Sequence, residues 1–392
     1  MARRVSACVV VAAAAAAAAA PSSAASTSPH WHRDELLAMG GLYCPLDFNK
    51  SWYFDRGGMC SNSTYQRWHA QLASPEGTAI PSAILRSAGS SDFDGKVLLI
   101  LGDSLARDQF VELACSLHRQ PHVHVEVILK NRQDPTLPAV VMVEVQAKRA
   151  TFWVAQVSWG NLHTGTKQVV TDSRRAIGHV RKRIASGAST FRGAVPGRVI
   201  ILMTSVKAHS LSSHGYRPVV TSRASGGGVA GYFVDLLKAV RDFSQQLGFE
   251  LFYYRPAAAT HFATATAGYI PDRKAPAKQC RAIDAHTNLT EQRRWFAQEE
   301  AALAEMSERK GKRVIVIPHV WQLSVDMWFL HPGLTQAVSD ASKAVTDCLH
   351  YCVVGDGYVG MYEALNRLWW WDLTRKLEAK SGRQTAERQR QH

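Results

Sequence analysis

The sequence predicts an α/β fold in three layers, with helices on both faces of a mostly parallel central sheet. Three observations predict it. Short apolar runs rich in Val, Ile and Leu recur along the chain, each bounded by glycine, proline or polar residues. Continuous runs of this kind mark strands buried on both faces. Helical patterns lie between the runs, as the crossovers of a parallel sheet require. Of the 392 residues, 46% are hydrophobic and 20% charged, enough for a full core and too apolar for a disordered or fibrous chain. With no internal repeat and no long linker, one α/β/α domain with an N-terminal extension is the economical reading.

Residues 1–26 read as a secretory signal. Arg3 and Arg4 give a basic start, residues 5–20 are an uninterrupted small-apolar run, and residues 21–25 are small enough to suit cleavage. An uncleaved signal anchor is the alternative, and only in that form is a membrane partner expected. Alanine is weakly hydrophobic and the run is short for a hydrocarbon core of about 30 Å, which favours cleavage. Either way the body is expected in the secretory lumen or outside the cell. No strongly apolar run of spanning length follows. Residues 27–92 form a cysteine-containing extension, and residues 93–373 are the expected main domain.

Within that domain the first strand is 96–101 (KVLLIL), followed by a helix over 107–117. Strands are expected at 139–145 and 150–159, and again at 198–203 (RVIILM). A helix over 230–247 leads to a strand at 250–254 (ELFYY), and a helix over 291–310 to one at 313–317 (RVIVI). The last helix, 358–377, carries Trp369, Trp370 and Trp371, which are expected to pack it onto the sheet. Residues 374–392 are basic, lack large apolar residues beyond Leu377, and are expected to be a disordered, solvated tail.

The formal net charge is +14, from 46 Lys+Arg against 32 Asp+Glu. Such an excess favours a polyanionic partner or surface and carries no information on fold. Beyond Cys8 in the leader stand Cys44, Cys60, Cys115, Cys280, Cys348 and Cys352, an even set that suggests three disulfides in an oxidising compartment. Counting leaves their pairing open. No metal is expected, because Cys348-x-x-x-Cys352 stands without a second ligand pair. The sequons at Asn49, Asn62 and Asn288 are glycosylation candidates.

In a parallel sheet ligands bind beyond the carboxyl ends of the strands. The residues after KVLLIL therefore carry the most weight: Gly102-Asp103-Ser104-Leu-Ala-Arg107-Asp108-Gln109. Glycine permits the tight strand-to-helix turn. Ser104 then stands where unpaired backbone N–H groups and the helix dipole can stabilise an oxyanion. The bland alternative is that Ser104 is only a helix cap. A serine nucleophile needs a base and an orienting acid, and Asp347-Cys348-Leu349-His350-Tyr351-Cys352 offers both. His350 would take the Ser104 proton, and Asp347 would hold its tautomer and stabilise the imidazolium. The alternative there is a surface loop with a capping Asp.

Both blocks together resemble the plant trichome-birefringence-like polysaccharide O-acetyltransferases, and more broadly the PC-esterase branch of the GDSL/SGNH hydrolases. The resemblance continues through residues 253–262 (YYRPAAATHF), similar to a family FR…SP-x-HF segment, and through Leu323-Ser324 and His331-Pro332, similar to LS…GHPS. Residues 43–48 with Trp52, and Arg67-Trp68, look like family signatures near the N-terminus. The match spans about residues 43 to 371.

The resemblance implies an SGNH-like domain with a disulfide-tied extension, a triad of Ser104, His350 and Asp347, and an acyl-enzyme on Ser104. It places Arg107 on the oxyanion beside the Ser104 backbone N–H, while Asp103 is taken as structural. It pairs Cys280 with Cys348 and Cys60 with Cys352, leaving Cys44 for Cys115. It implies no bound cofactor, an acetyl donor such as acetyl-CoA as co-substrate, and an acceptor polysaccharide or oligosaccharide, anionic if the charge excess is used. No nucleic-acid partner is expected. The implied location is the Golgi lumen or the extracellular space. An acetyl esterase would use the same triad with water as acceptor.

The chain departs from the family pattern in a shorter N-terminal region with fewer cysteines, which implies an acceptor other than plant xylan, and at two internal places. Asp108 stands where Asn is usual, and residues 203–209 (MTSVKAH) replace a family FNTGHWW block. The second internal departure supports a reading of another class, an inactive glycan-binding protein. Other candidates are weaker. Residues 226–231 (GGGVAG) match a dinucleotide fingerprint but follow no clear strand. His122 and His124 would share a strand face with no third ligand in view. His261 and His331 are candidates to line the cleft with Gly102 and Asp103.

Overall fold

The computed structural model describes residues 46, 90–134, 137–159, 162–193, 198–205, 238–239, 242–243, 245–261, 280, 282–283, 290, 293, 297, 299, 303, 314–317, 320–325, 331, 333–337, 340–347, 351 and 361–391. Backbone contacts divide the chain into Met1–Gly40 and Gly41–His392, and every described residue lies in the second.

The strands are β1 (Lys96–Gly102), β2 (His124–Asp134), β3 (Leu137–Ala147), β4 (Ala150–Ser158), β5 (Arg198–Thr204), β6 (Phe249–Arg255) and β7 (Val314–Val316). They form a seven-stranded mixed sheet in the order β2-β3-β4-β1-β5-β6-β7. From β4 to β7 every neighbouring pair is parallel, and β3 runs antiparallel to β2 and β4. The fold is therefore α/β with a mostly parallel sheet, as the apolar runs predict. All seven residues of β1 are buried, which is why its sequence shows no alternation. A separate antiparallel pair, β8 (Gly333–Ala337) and β9 (Asp340–Asp347), pairs Gly333 with Asp347.

The described helices are α1 (Ser104–His118), α2 (Leu162–Ala185), the short α3 (Val320–Val325) and α4 (Met361–Gln391). Strand alternation sends Leu98, Ile100, Ile200, Leu202 and Tyr253 to the face covered by α1 and α4. Val97, Leu99, Ile201, Met203, Phe252 and Tyr254 go to the face covered by α2. Each face holds its own apolar cluster. Trp369 and Trp370 are buried in the first of these; Trp370 stacks on Phe93 with centroids 4.6 Å apart, and Trp371 alone of the three is exposed. Leu46 packs against the same cluster. A reciprocal pair of hydrogen bonds between Gln109 and Asn366, each 3.0 Å, locks α1 to α4.

Several elements differ from the expectation. The C-terminal segment expected to be disordered is helical to Gln391. Its good helix formers continue the last helix. Leu373 and Leu377 bury against the sheet, the Lys380 ammonium donates to Glu250 Oε1 at 2.7 Å, and the Ser381 hydroxyl donates to Asp92 Oδ1 at 2.5 Å. Helix α2 was not among the expected helices, because Gly165, Gly178 and its β-branched residues weaken the propensity signal. Its apolar stripe of Val169, Val170, Ala176, Ile177 and Val180 faces the core nonetheless. Strands β8 and β9 were also unexpected, being too polar to stand out as apolar runs, and β2 was anticipated only through the His122 and His124 pair at its start.

His122 does not share a strand face with His124: it lies in the preceding turn with φ 64°, and β2 begins at His124. Of the expected helix over 230–247, residues 238–239, 242–243 and 245–246 are helical, and Ala239 and Phe243 are buried; of that over 291–310, residues 293, 297, 299 and 303 are helical, with Leu303 buried. Their remaining residues, and the 226–231 glycine segment, lie outside the described residues. No helix among the described residues is long and apolar enough to cross a membrane.

Candidate functional site

The carboxyl end of β1 sits in the middle of the sheet, and the chain turns there directly into α1. Gly102 makes that turn possible. A Cβ on it would collide with the Thr204 hydroxyl oxygen and would stand 2.8 Å from the Ala106 Cβ. Its carbonyl accepts from the Trp159 N–H at 2.6 Å, which pins the end of β1 to the chain leaving β4. The helix cap is Asp103: its Oδ1 accepts from the Leu105 N–H at 3.0 Å. Ser104 is thus the first residue of the helix and not its cap, half-buried at the positive end of the α1 dipole.

Arg107 follows Ser104 by three residues, so the two share one side of α1. It is 6% exposed, where a solvated helix arginine would be open. One of its Nη atoms donates to Asp108 Oδ1 at 3.3 Å. The other carboxylate oxygen, Asp108 Oδ2, accepts from the Tyr362 hydroxyl at 3.4 Å. Burial, reinforced by the Asp108 charge, pushes the Tyr362 phenol well above its ordinary range, so it stays a donor. Its oxygen in turn accepts from the Tyr351 N–H at 3.4 Å. The residue next to His350 is therefore held against the face of α1 that carries Asp108.

The chain of contacts goes further. Tyr351 donates to the Ala259 carbonyl at 2.7 Å, and burial raises its phenol too. The Ala259 N–H donates to the Ser324 hydroxyl at 2.8 Å, and that hydroxyl donates to the Trp321 carbonyl at 2.8 Å. The Tyr351 ring lies 4.3 Å from that of His331, centroid to centroid. His331 and His261 are both buried and share a hydrogen bond of 2.7 Å between His331 Nε2 and His261 Nδ1. The tautomers follow from the third partner: the Val325 carbonyl, 2.8 Å from His261 Nε2, can only accept. His261 therefore carries its proton on Nε2, and in the neutral pair His331 donates from Nε2 to His261 Nδ1.

Sequence reasoning singled out both histidines without relating them; the fold brings them together. His331 lies two residues before Gly333, which faces Asp347 across the β8–β9 pair, and Tyr351 lies four residues beyond Asp347. The open end of that hairpin thus converges on the histidine cluster. Asp347 is placed by its backbone at the end of β9. The side chain of Asp347, and His350 as a whole, lie outside the described residues, as do Cys44, Cys60, Cys348, Cys352, Asn49, Asn62 and Asn288. Cys115 and Cys280 are each disulfide-bonded. Among the described residues no group of three His, Cys, Asp or Glu side chains is placed to hold a metal ion.

One residue at this edge was missed. Arg255 ends β6 and is 1% exposed, and among the described residues its Nε and both Nη atoms have no hydrogen-bond partner. Burial lowers its pKa, while Tyr362, Asp103, Tyr254 and Asp108 pull the other way. The available signal was an arginine directly after the buried run ELFYY. Comparison with known protein families and with curated proteins finds no match to this chain.

Proposed function

We propose that this chain is a secretory-pathway serine acyltransferase that moves an acetyl group to a hydroxyl of a polysaccharide through an acyl-enzyme on Ser104. The observation that carries the reading is the placement of Ser104. It opens α1 at the carboxyl end of the central strand, with its neighbour Asp103 as the cap and the helix dipole directed at it. The tie from Tyr351 through Tyr362 to Asp108 supports a His350 that reaches the same helix end. In this reading His350 removes the Ser104 proton as the hydroxyl attacks the donor carbonyl, and Asp347 holds the imidazole tautomer. The Ser104 N–H and the buried Arg107 guanidinium, one helical turn on, stabilise the oxyanion. His350 then returns the proton to the leaving group, and a sugar hydroxyl, deprotonated by the same histidine, attacks the acyl-enzyme; the bond from the acyl carbon to Ser104 Oγ breaks and His350 gives the proton back to Ser104.

The finer architecture belongs to the same proposal: an SGNH-like domain with its extension tied by Cys44–Cys115 and Cys60–Cys352, and Cys280–Cys348 clamping the Asp347–His350 segment. The disulfide-bonded state of Cys115 and Cys280 supports an oxidising compartment, Golgi lumen or outside the cell. The donor, acetyl-CoA or another activated acetate, is a co-substrate, and no resident cofactor takes part. The second reading, an inactive glycan-binding protein, is favoured by residues 203–209, where an Asn-containing block is replaced. Incubation with an activated acetyl ester separates the readings: the intact mass should rise by one acetyl located on Ser104. Acetyl transfer to oligosaccharides against acetate release then divides transferase from esterase. Acetyl elsewhere, or full activity in Ser104→Ala, rejects the serine mechanism.

A further inference from the structure

Three positions meet at one register across the carboxyl edge of the sheet. Met203 pairs with Leu101 on one side and Tyr254 on the other, and Thr204 pairs with Arg255. Gly102, Thr204 and Arg255 each follow by two a residue that faces α1, namely Ile100, Leu202 and Tyr253. Strand alternation therefore turns all three to that face, beneath the N-terminus of α1. Thr204 is fully buried and, among the described residues, its hydroxyl has no hydrogen-bond partner; the three guanidinium nitrogens of Arg255 have none there either. A buried cation with every N–H unsatisfied is among the least favourable arrangements a fold can hold. The remedy for both side chains is the same: an acceptor.

We propose that Arg255 and Thr204 form a buried binding site for a small monoanionic carboxylate, under the N-terminus of α1 and next to Ser104. A planar carboxylate matches the guanidinium fork in two parallel hydrogen bonds, and the Thr204 hydroxyl can donate a third. The positive end of α1 favours the same sign of ligand. Local charge sets the valence. Among the described residues, Asp103 and Asp108 act on Arg255 from the first turn of α1, and Arg107 is paired with Asp108. With these two carboxylates close by, a monoanion meets less repulsion than a phosphate dianion. Under the acyl-transfer reading the carboxylate is acetate, the hydrolysis product, and this identification rests on that reading; the anion site does not.

The test is thermal melting of the full mature chain in sodium acetate against sodium chloride at equal ionic strength, with acetamide as the neutral isostere. Acetate should raise Tm saturably, by about 5 °C at ~100 times its dissociation constant, and acetamide should not. Arg255→Met should melt at or above wild type without acetate and lose the acetate response. Thr204→Val should need about tenfold more acetate. If Arg255→Met fails to fold, Arg255→Lys, which keeps the charge and loses the fork, should weaken the response at least tenfold. Ser104→Ala should respond like wild type, so the site survives even if the acyl-enzyme does not. An acetate effect no larger than that of chloride, an undiminished response in the Arg255 variants, or stronger stabilisation by phosphate than by acetate overturns the proposal.

Discussion

Ser104 and Arg107 lie one helical turn apart on α1, and the physical difference between their roles can be read in kinetics. Under the proposed mechanism the Ser104 hydroxyl is the nucleophile, so Ser104→Ala should lose transfer and hydrolysis by about 10³-fold or more, with Tm little changed. His350→Ala should approach the same loss, because an unassisted serine is a poor nucleophile. Asp347→Asn leaves the base but not its orientation, and should stay about tenfold or more above the His350 variant. Arg107 is expected to act on charge that develops only in the transition state. Arg107→Ala should therefore lower kcat by about 10²-fold with little change in KM for the donor. An equal rise in KM with unchanged kcat would place Arg107 in ground-state binding instead. At this scale the sequence was legible where chemistry and spacing coincide, as in Gly102–Arg107. It gave no role to Arg255, Thr204 and Tyr362, because their meaning lies in register and burial: Arg255 matters through the strand it pairs with and the absence, among the described residues, of partners for its guanidinium.

Strands β1, β5 and β6 were legible as elements because burial on both faces makes them continuous apolar runs. Helix α2 and strands β8 and β9 were not, since glycine and polar residues there are compensated only by tertiary packing. The last helix shows the same lesson at the other end of the sheet. Near the amino ends of β1 and β5, the Glu250 carboxylate receives Lys96 at 3.1 Å, Arg198 at 3.2 Å and Lys380 at 2.7 Å. Burial disfavours its ionised form, but the Lys380 and Lys96 ammoniums outweigh burial and hold its carboxyl below the usual carboxylate range. A lowered folded pKa gives stability that is present above the unfolded value and lost as pH falls through the folded one. Melting of wild type and Glu250→Gln should thus differ most above the ordinary glutamate pKa of about 4.3 and converge progressively as pH falls below it. The Lys380 side chain is half-open, so Lys380→Met should cost under about 1 kcal/mol. Leu377 is 3% exposed, and Leu377→Ala should cost about 2–4 kcal/mol. If removal of residues 378–392 left denaturant stability unchanged, the docking of the α4 end would have no energetic weight.

On the whole-molecule scale the question is where the excess of +14 resides. Residues 1–26 account for two arginines, and the C-terminal segment was the obvious reservoir for more. Its docked stretch is not idle, however: Lys376 pairs with Asp372 at 3.3 Å, Lys380 with Glu250, and Arg375 lies over the Trp371 ring at 4.6 Å. Charge committed to such contacts is less available to a distant polyanion, and most of the usable excess then belongs to the body of the protein. An anionic acceptor, such as a uronic-acid or sulfated glycan, would be attracted by that field and released by salt, since the Debye length shrinks to about 8 Å at physiological ionic strength. Binding of the Ser104→Ala protein to an acidic oligosaccharide should therefore weaken several-fold between ~20 mM and ~150 mM salt. Truncation after Leu377 should leave that salt dependence largely in place. A neutral glycan of equal length should show little of it. Binding of the acidic glycan that stayed constant across the salt range would separate the net charge from acceptor recognition and leave shape and hydrogen bonding to select the sugar.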